Sequence, residues 1–551
     1  MEVSTIPIPI ALALFTSFYI LYHLRVRSSQ TRWDEETEKR GAQYLEENLS
    51  PHARQLRAKL IAALPESVIL SETSTRFEQS VNSYWDQKAC EAVPSCVVQP
   101  RNIQELAQVV ELLKIEFDRQ SERDESTNDT KEGLFAVRGG GHSPVAGASS
   151  INGGVLIDMS LFNEVTPSED GKSVVIGAGC KWMHVYKVLQ TKGLAVAGGR
   201  NSAVGVAGLA LGGGLSFFSP RYGFVCSNIL EYEVVLADGT VTKASESSNR
   251  DLWCALKGGS NNFGIVTRFT VRSFPFTDIW SGFLYLPPWQ APKVLTAFYE
   301  FVNRVVTNDE GKTYDENAAG PLTCFTYLQQ LGIQAIAVNL VHTNPPAHDK
   351  KWPTCWRNSA FSNLWRFWST CQVRSLTSAT DEMSVLNPPG RRQEFATTTI
   401  KNHKATIEAV HKAYRDAITT IRKHNIKAMS WTPVLQPLLP NWARKGEPNS
   451  LGLSSSSNEP LVNVSFTVNW ALGKDDFVVL KITRTAIEQI DRFAEEHGTA
   501  HQYRYLNYCA SWQKPLESYG KENLEFLKGV GKKYDSNGLF QKGCVGGFKL
   551  N

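Results

Sequence analysis

The chain has almost no charge bias. Lys+Arg 58 against Asp+Glu 54 leave a formal net charge of +4 over 551 residues, too little for a partner held mainly through nucleic-acid phosphates. Its ten cysteines contain no C-x-x-C pair, so neither a zinc site nor a redox dithiol has its spacing, and no metal ligand set is expected. Cys90 and Cys96, the close pair, suit a disulfide if the chain enters the secretory pathway; the other eight read as small buried side chains. No G-x-x-x-x-G-K-[ST] occurs, which excludes a standard P-loop. Gly177-Ala178-Gly179 lies between a strand and a helix, but Trp182 stands where a dinucleotide fold needs its third glycine, and no carboxylate follows at ribose distance. His497 and His501 flank Gly498 rather than the glutamate pattern of a zinc protease, and neither Ser143 nor Ser260 sits in a G-x-S-x-G elbow.

What is present is an ordinary globular composition, 42% hydrophobic and 20% charged, long enough for two to four domains. From Ile6 to Leu24 no charged residue occurs, and nineteen residues at about 1.5 Å each match a bilayer core. This predicts a single membrane anchor. A cleaved signal peptide is the alternative, opposed by Glu2 and by bulky Tyr22, His23 and Leu24 where small residues precede cleavage, and a buried helix is the third reading. Arg25, Arg27 and Arg32 would keep the body in the cytoplasm, whereas sequons at Asn48, Asn128 and Asn463 point to a lumenal, glycosylated body. The expected address is a single-pass anchor in the secretory pathway, with secretion as the alternative.

Residues 31–90 read as a helical linker. Cys96-Val97-Val98 is a predicted strand, and Asn102 with Glu105 caps a helix whose Ile103, Leu106, Val109, Val110 and Leu113 share one face. From 91 to 276 short apolar strands are broken by glycines; from 277 to 500 tryptophans, tyrosines and lysine-rich helices take over; from 501 to 551 glycine-marked turns return. The expected fold is α+β, with the last segment folding back on the first domain.

Glycines cluster in Arg138-Gly139-Gly140-Gly141-His142-Ser143, directly after the strand Leu134–Val137. Successive glycines remove each Cβ and free backbone N–H groups to form an anion-binding concavity that suits a diphosphate. A second cluster, Gly198 to Gly208, continues to Gly212-Gly213-Gly214. Two such loops fit a large, flat ligand.

The strings RGGGHSPVAG, GRNSAVGVAGLALGGG, LEYEVVLADGTV, DLWCALKGGSNNFGIVTRF and YLNYC…YGKENLEFLKGVGKKYDSNGLF occur in order. Together they resemble the FAD-linked oxidases of the berberine bridge enzyme group, in the vanillyl-alcohol-oxidase superfamily, over residues 90–275 and 500–545. The resemblance implies a PCMH-type FAD-binding domain of two subdomains plus an α+β substrate domain with an antiparallel sheet over the isoalloxazine. It implies that His142 bonds covalently to the flavin, that Arg138 through Gly141, with Ser143, supply the diphosphate-binding backbone, and that Gly205, Gly208 and Gly212 permit close approach. Gly264 and Val266 would offer backbone groups from the edge of a strand. Many relatives carry a second tether, a cysteine; here Asn201 and its neighbours include none, so FAD would be held through His142 only. The tail motif Y-x-N-[YH] matches Tyr505 to Tyr508, placing Asn507 at the cofactor and making Tyr508 the catalytic base.

A phenol with reference pKa near 10 serves as a base at neutral pH only where positive charge or hydrogen bonds stabilise its anion. The implied reaction is proton removal by Tyr508 with hydride transfer to the flavin and reoxidation by molecular oxygen, on a small, apolar specialised metabolite. Two rivals are a membrane-associated dehydrogenase using another acceptor and a flavoprotein cyclase with a non-redox step.

Overall fold

The capping residues open the first long helix as their spacing predicts. In the computed structural model, Ile103–Arg123 starts with the Glu105 N–H bonded to Asn102 Oδ1 at 3.0 Å. The Glu105 carboxylate turns back to accept from the Arg101 N–H at 2.8 Å and from Ser67 Oγ at 2.6 Å. Leu106, Val109, Val110 and Leu113 are fully buried, each contributing about 1.5–3 kcal/mol relative to exposure. The structure describes residues 49–70, 75–123, 133–304, 315–346, 351–453 and 459–550. The chain divides into two units, Met1–Ser50 and Pro51–Asn551.

Three sheets are built from the described residues, all of them within the second unit. The first, ordered β1-β2-β4-β3, comprises Val68–Ile69 (β1), Cys96–Val98 (β2), Phe135–Arg138 (β3) and Val155–Asp158 (β4). Its β2, β4 and β3 run parallel, and β1 is antiparallel to β2. The second is antiparallel, ordered β5-β6-β10-β8-β9, from Val165–Pro167 (β5), Ser173–Gly177 (β6), Ile229–Val235 (β8), Val241–Ser245 (β9) and Ile265–Pro275 (β10), with Leu194–Val196 (β7) also on β10. These two sheets carry the glycine-rich segments of the sequence.

The third sheet has nine strands, ordered β14-β11-β13-β12-β17-β18-β16-β19, with β15 on β11. They are β11 Asp278–Leu286, β12 Ala318–Leu328, β13 Ile333–His342, β14 Trp368–Ser369, β15 Gln372–Ser375, β16 Arg392–Lys401, β17 Ser430–Leu438, β18 Leu461–Trp470 and β19 Ala500–His501. Helices Lys404–Ile421 and Asp476–Glu496 cover one face, where Thr398 Oγ1 donates to Asp491. Strand alternation then turns Phe395, Thr397 and Thr399 the other way. Thr399 pairs with Asn463, and Asn463 with Gln436, so these side chains share that second face. After β19 the chain returns to the first two sheets and the loops between their strands. Leu134 N–H bonds Gly543 O at 2.7 Å, Asn262 Nδ2 bonds Phe548 O at 2.9 Å, and Lys533 pairs with Asp251 at 2.6 Å.

Several expectations are corrected. Residues 51–90 are not a linker: β1 belongs to the first sheet, and Ser80, Tyr84 and Trp85 hold the glycine loop at residues 138–142. Cys90 and Cys96 are both buried free thiols. Asn463 is fully buried, with Nδ2 donating to Thr397 Oγ1 at 2.8 Å, so no glycan fits there. Among the described residues no helix is long and apolar enough to cross a membrane; the anchor expected at 6–24 and the sequons Asn48 and Asn128 lie outside them.

Candidate active site

Strand β3 delivers the first glycine loop, and Arg138 at its end fixes where the loop begins. Its guanidinium points into the protein, pairing with the Asp158 carboxylate and donating to Ser80 Oγ at 2.7 Å and Ser83 Oγ at 2.8 Å. It also lies 5.0 Å from the centre of the Tyr84 ring. Burial alone would raise the Asp158 carboxyl, but the Arg138 charge and hydrogen bonds from Gln99, Ser160 and Ser80 hold it below the usual range. The Arg138 side chain is therefore a brace, and its backbone is what remains to face a ligand.

Gly141 takes φ +65°, a left-handed conformation that favours glycine, and its carbonyl accepts the Trp85 N–H at 2.9 Å. Gly140 and Gly205 press backbone against backbone: a Cβ on Gly140 would sit 2.3 Å from the Gly205 Cα. The two loops thus need glycine to reach each other. Gly139 faces the Ala178 carbonyl and the Ala207 methyl, while Ser143 Oγ accepts the Val145 N–H at 3.3 Å, closing a local turn.

His142 stacks on Trp85, ring centroids 4.3 Å apart and planes 10° from parallel. Its Nε2 is buried and has no hydrogen-bond partner. Burial, to which the Lys181 charge adds, pushes the imidazole down to about 3, so the ring is neutral at physiological pH with a nitrogen lone pair available. A buried polar atom without a partner is costly.

The second glycine loop runs into the helix Val206–Leu211. Gly208 is exposed and a Cβ there would meet nothing within 4 Å, so this helix face is open. Gly212 instead makes room for Asn507, whose Oδ1 lies 2.2 Å from where a Cβ would be. Asn507 Nδ2 is committed to Leu209 O at 3.1 Å and Tyr505 OH at 3.1 Å. Its placement makes it a brace for the loop. Gly264 packs on Val234 and Val235, and β10 is a central strand, not an edge. Its pairing with β6 begins at Arg268, so Ile265 and Val266 have a ladder partner on the β8 side alone.

Tyr508 ends a short 3-10 turn, Leu506–Tyr508, and receives a hydrogen bond from Arg200 Nη2 at 2.9 Å. The same nitrogen donates to Gln436 Oε1 at 2.9 Å. Gln436 reaches Asn463 Oδ1 at 3.4 Å, and Asn463 continues to Thr397, so the arginine is held from the nine-stranded sheet. Aromatic contacts join the two ends of the site: Tyr508 to Phe395 at 5.5 Å, Phe395 to Trp85 at 5.2 Å, then Trp85 to His142. Sequence reading missed Trp85, Arg200, Phe395 and Gln436. Arg200 stood inside the second glycine cluster, where its charge was the available signal; the other three lie in stretches with no motif.

A neutral, unpartnered imidazole nitrogen, two interlocked glycine loops and an open glycine on a helix face fit a flavin dinucleotide. The chain's own folded relatives agree. A family model described as FAD binding domain matches residues 94–245. The fold is similar to 6-hydroxy-D-nicotine oxidase from Arthrobacter nicotinovorans, at TM-score 0.66 and 20% identity over 88% of this chain and 98% of that one. It is also similar to a histidine variant of berberine bridge enzyme in complex with (S)-reticuline, at TM-score 0.64 and 14% identity over 89% and 97%. These define the fold, α+β with a PCMH-type FAD-binding domain. In sequence the chain is 36% identical to the FAD-dependent monooxygenase tpcD of Cochliobolus heterostrophus over 85% of this chain and 87% of the relative. It is 29% identical to the bifunctional solanapyrone synthase of Alternaria solani over 76% of each. The chain belongs to the family of these FAD-dependent oxidoreductases, and its fold is that of berberine bridge enzyme.

Proposed function

We propose that this enzyme is an oxidase for a small, largely apolar specialised metabolite, with FAD tethered through His142 alone, Tyr508 as the base and molecular oxygen as the electron acceptor. The observation that carries the proposal is the Arg200 hydrogen bond to the Tyr508 oxygen, on a site that aromatic contacts connect to the unpartnered His142 nitrogen.

FAD, when bound, supplies an acceptor for a hydride. The chain does the rest. Gly139, Gly140 and Gly141 offer backbone to the diphosphate, and the stack on Trp85 fixes the His142 ring for attachment. Tyr508 accepts the substrate proton at its phenolic oxygen. Arg200 presents a charged hydrogen-bond donor to that oxygen. Gln436 keeps that donor aimed. Phe395 and Tyr505, both edge-on to the Tyr508 ring, make the surroundings of the proton acceptor aromatic, which suits an apolar substrate. Relatives named monooxygenases have oxygen as a co-substrate by that name, which supports oxygen as the acceptor here.

Acid precipitation of the purified protein tests the attachment. Yellow colour stays in the pellet and maps to the peptide containing His142, and His142→Ala releases it. Reduced enzyme reoxidises in air. Colourless protein that takes up no FAD would overturn the proposal, and a reduced form stable in air would overturn oxygen as acceptor.

A further inference from the structure

The β12–β13 hairpin brings a second cluster of reactive side chains together at the end away from its turn. His342 closes β13 and is buried. Asp315 stands just before β12, and Cys355 lies on the short helix Thr354–Arg357. One ligand atom from each, a carboxylate oxygen, an imidazole nitrogen and a sulfur, all lie within 4.8 Å of one another. We propose that Asp315, His342 and Cys355 form a zinc site, with the fourth position left to water.

The imidazole geometry points to a cation. His342 Nδ1 faces the Asn344 carbonyl, and Nε2 faces Asp315 Oδ2 at 3.0 Å. Both oxygens can only accept. One ring proton satisfies Asn344 and leaves the Nε2 lone pair directed at a carboxylate, a place for a second proton or for a metal ion. The Cys355 thiol, hydrogen-bonded to Asp315, completes a mixed donor set, and Zn²⁺ takes nitrogen, oxygen and sulfur together. Metal-bound histidines commonly donate their other ring nitrogen to a backbone carbonyl, as His342 does to Asn344. Magnesium and calcium prefer oxygen sets and would leave the sulfur unused. Binding releases the thiol proton to solvent as the sulfur takes the metal.

The ligands are positioned without the metal. Asp315 Oδ1 accepts the Asn317 N–H at 3.0 Å, and the Thr343 N–H bonds Asn317 O at 2.9 Å, which ties Asp315 to the residue after His342. Trp356, next to Cys355, donates to Val341 O at 2.9 Å, one residue before His342. The three ligands come from segments far apart in the chain, so no cysteine or histidine spacing announces the site.

The test uses the full flavin-loaded chain, dialysed free of metal, exposed to zinc chloride and passed through gel filtration before elemental analysis. Wild type retains one zinc per chain. Cys355→Ser and His342→Ala bind at least ~10-fold more weakly, since loss of a ligand costs no less than loss of its outer-shell support, while their flavin content stays at the wild-type level. On wild type alone, zinc protects Cys355 from iodoacetamide, read by peptide mass against the other nine cysteines. No retained zinc in wild type, equal retention in the variants, or equal Cys355 alkylation with and without zinc would each overturn the site. Should a variant lose its flavin through misfolding, the alkylation result decides.

Discussion

Arg200 is the residue on which the proposed chemistry turns, because one nitrogen serves both the proposed base and the nine-stranded sheet. Tyr508→Phe keeps the ring contacts and removes the proton acceptor, so kcat falls by ~10²–10⁴ with little change in KM. Arg200→Met removes the charge at Tyr508 and lowers kcat in the same direction; Arg200→Lys, which keeps a charge but loses the planar fork, recovers part of it. Steady-state kinetics separates these, and an unchanged kcat in Tyr508→Phe would remove it as the base. A second residue-scale effect lies at Glu394. Burial, partly offset by Lys88 at 3.1 Å, raises its carboxyl to about 7 from 4.5. Between those values the folded state holds a proton that the unfolded chain has released, so this group's contribution to stability is present below about 4.5 and is lost as pH rises to about 7. Glu394→Gln removes that loss. Urea midpoints should therefore fall less between pH 5 and 7.5 in the variant than in wild type.

At the scale of elements, the two glycine loops act as one unit through the Gly140–Gly205 contact. A Cβ on either collides with backbone of the other, at 2.3 Å and 2.6 Å, and backbone cannot rotate away as a side chain can. Gly140→Ala and Gly205→Ala should each separate the loops and reduce bound flavin, whereas Gly208→Ala, which meets nothing within 4 Å, should leave the apoprotein's melting temperature unchanged and alter flavin content alone. Measured flavin-to-protein ratios and apoprotein melting curves check both. The glycine loops, the capped helix at Asn102 and the strand at Cys96 were legible in sequence because each is a local pattern: a missing Cβ, a capping pair, an apolar run. Arg200 and Gln436 were not recognised, since their meaning comes from pairing across 236 positions. The linker expected over 31–90 failed for a similar reason: the function of residues 51–90 comes from contacts with Arg138 and His142, which polar, helix-favouring composition does not reveal.

For the whole molecule, the C-terminal return is what joins the nine-stranded sheet to the flavin domain. Tyr505, Asn507 and Tyr508 lie just after β19, and beyond them Tyr519 OH bonds Gly258 O at 3.1 Å. The helix Lys521–Tyr534 then packs on the flavin domain through Lys533 and Tyr534, both bonded to Asp251. Gln541 closes the return by donating to Asn262 O at 3.1 Å and accepting the Leu550 N–H at 3.0 Å. A chain ending at residue 520 retains Tyr508, its arginine and the Tyr519–Gly258 bond but loses the ties beyond residue 520, and it leaves the buried Phe263 and Asn262 without their cover. Such a chain should bind flavin poorly and melt below the full enzyme, although every residue assigned to the reaction is still present. Flavin content and a melting curve of the truncated chain, compared with Lys533→Ala in the full chain, separate the two scales. The single exposed ion pair with Asp251 adds little to stability, so Lys533→Ala should behave like wild type. If truncation also leaves flavin content and melting unchanged, the return is dispensable and the glycine loops alone hold the cofactor.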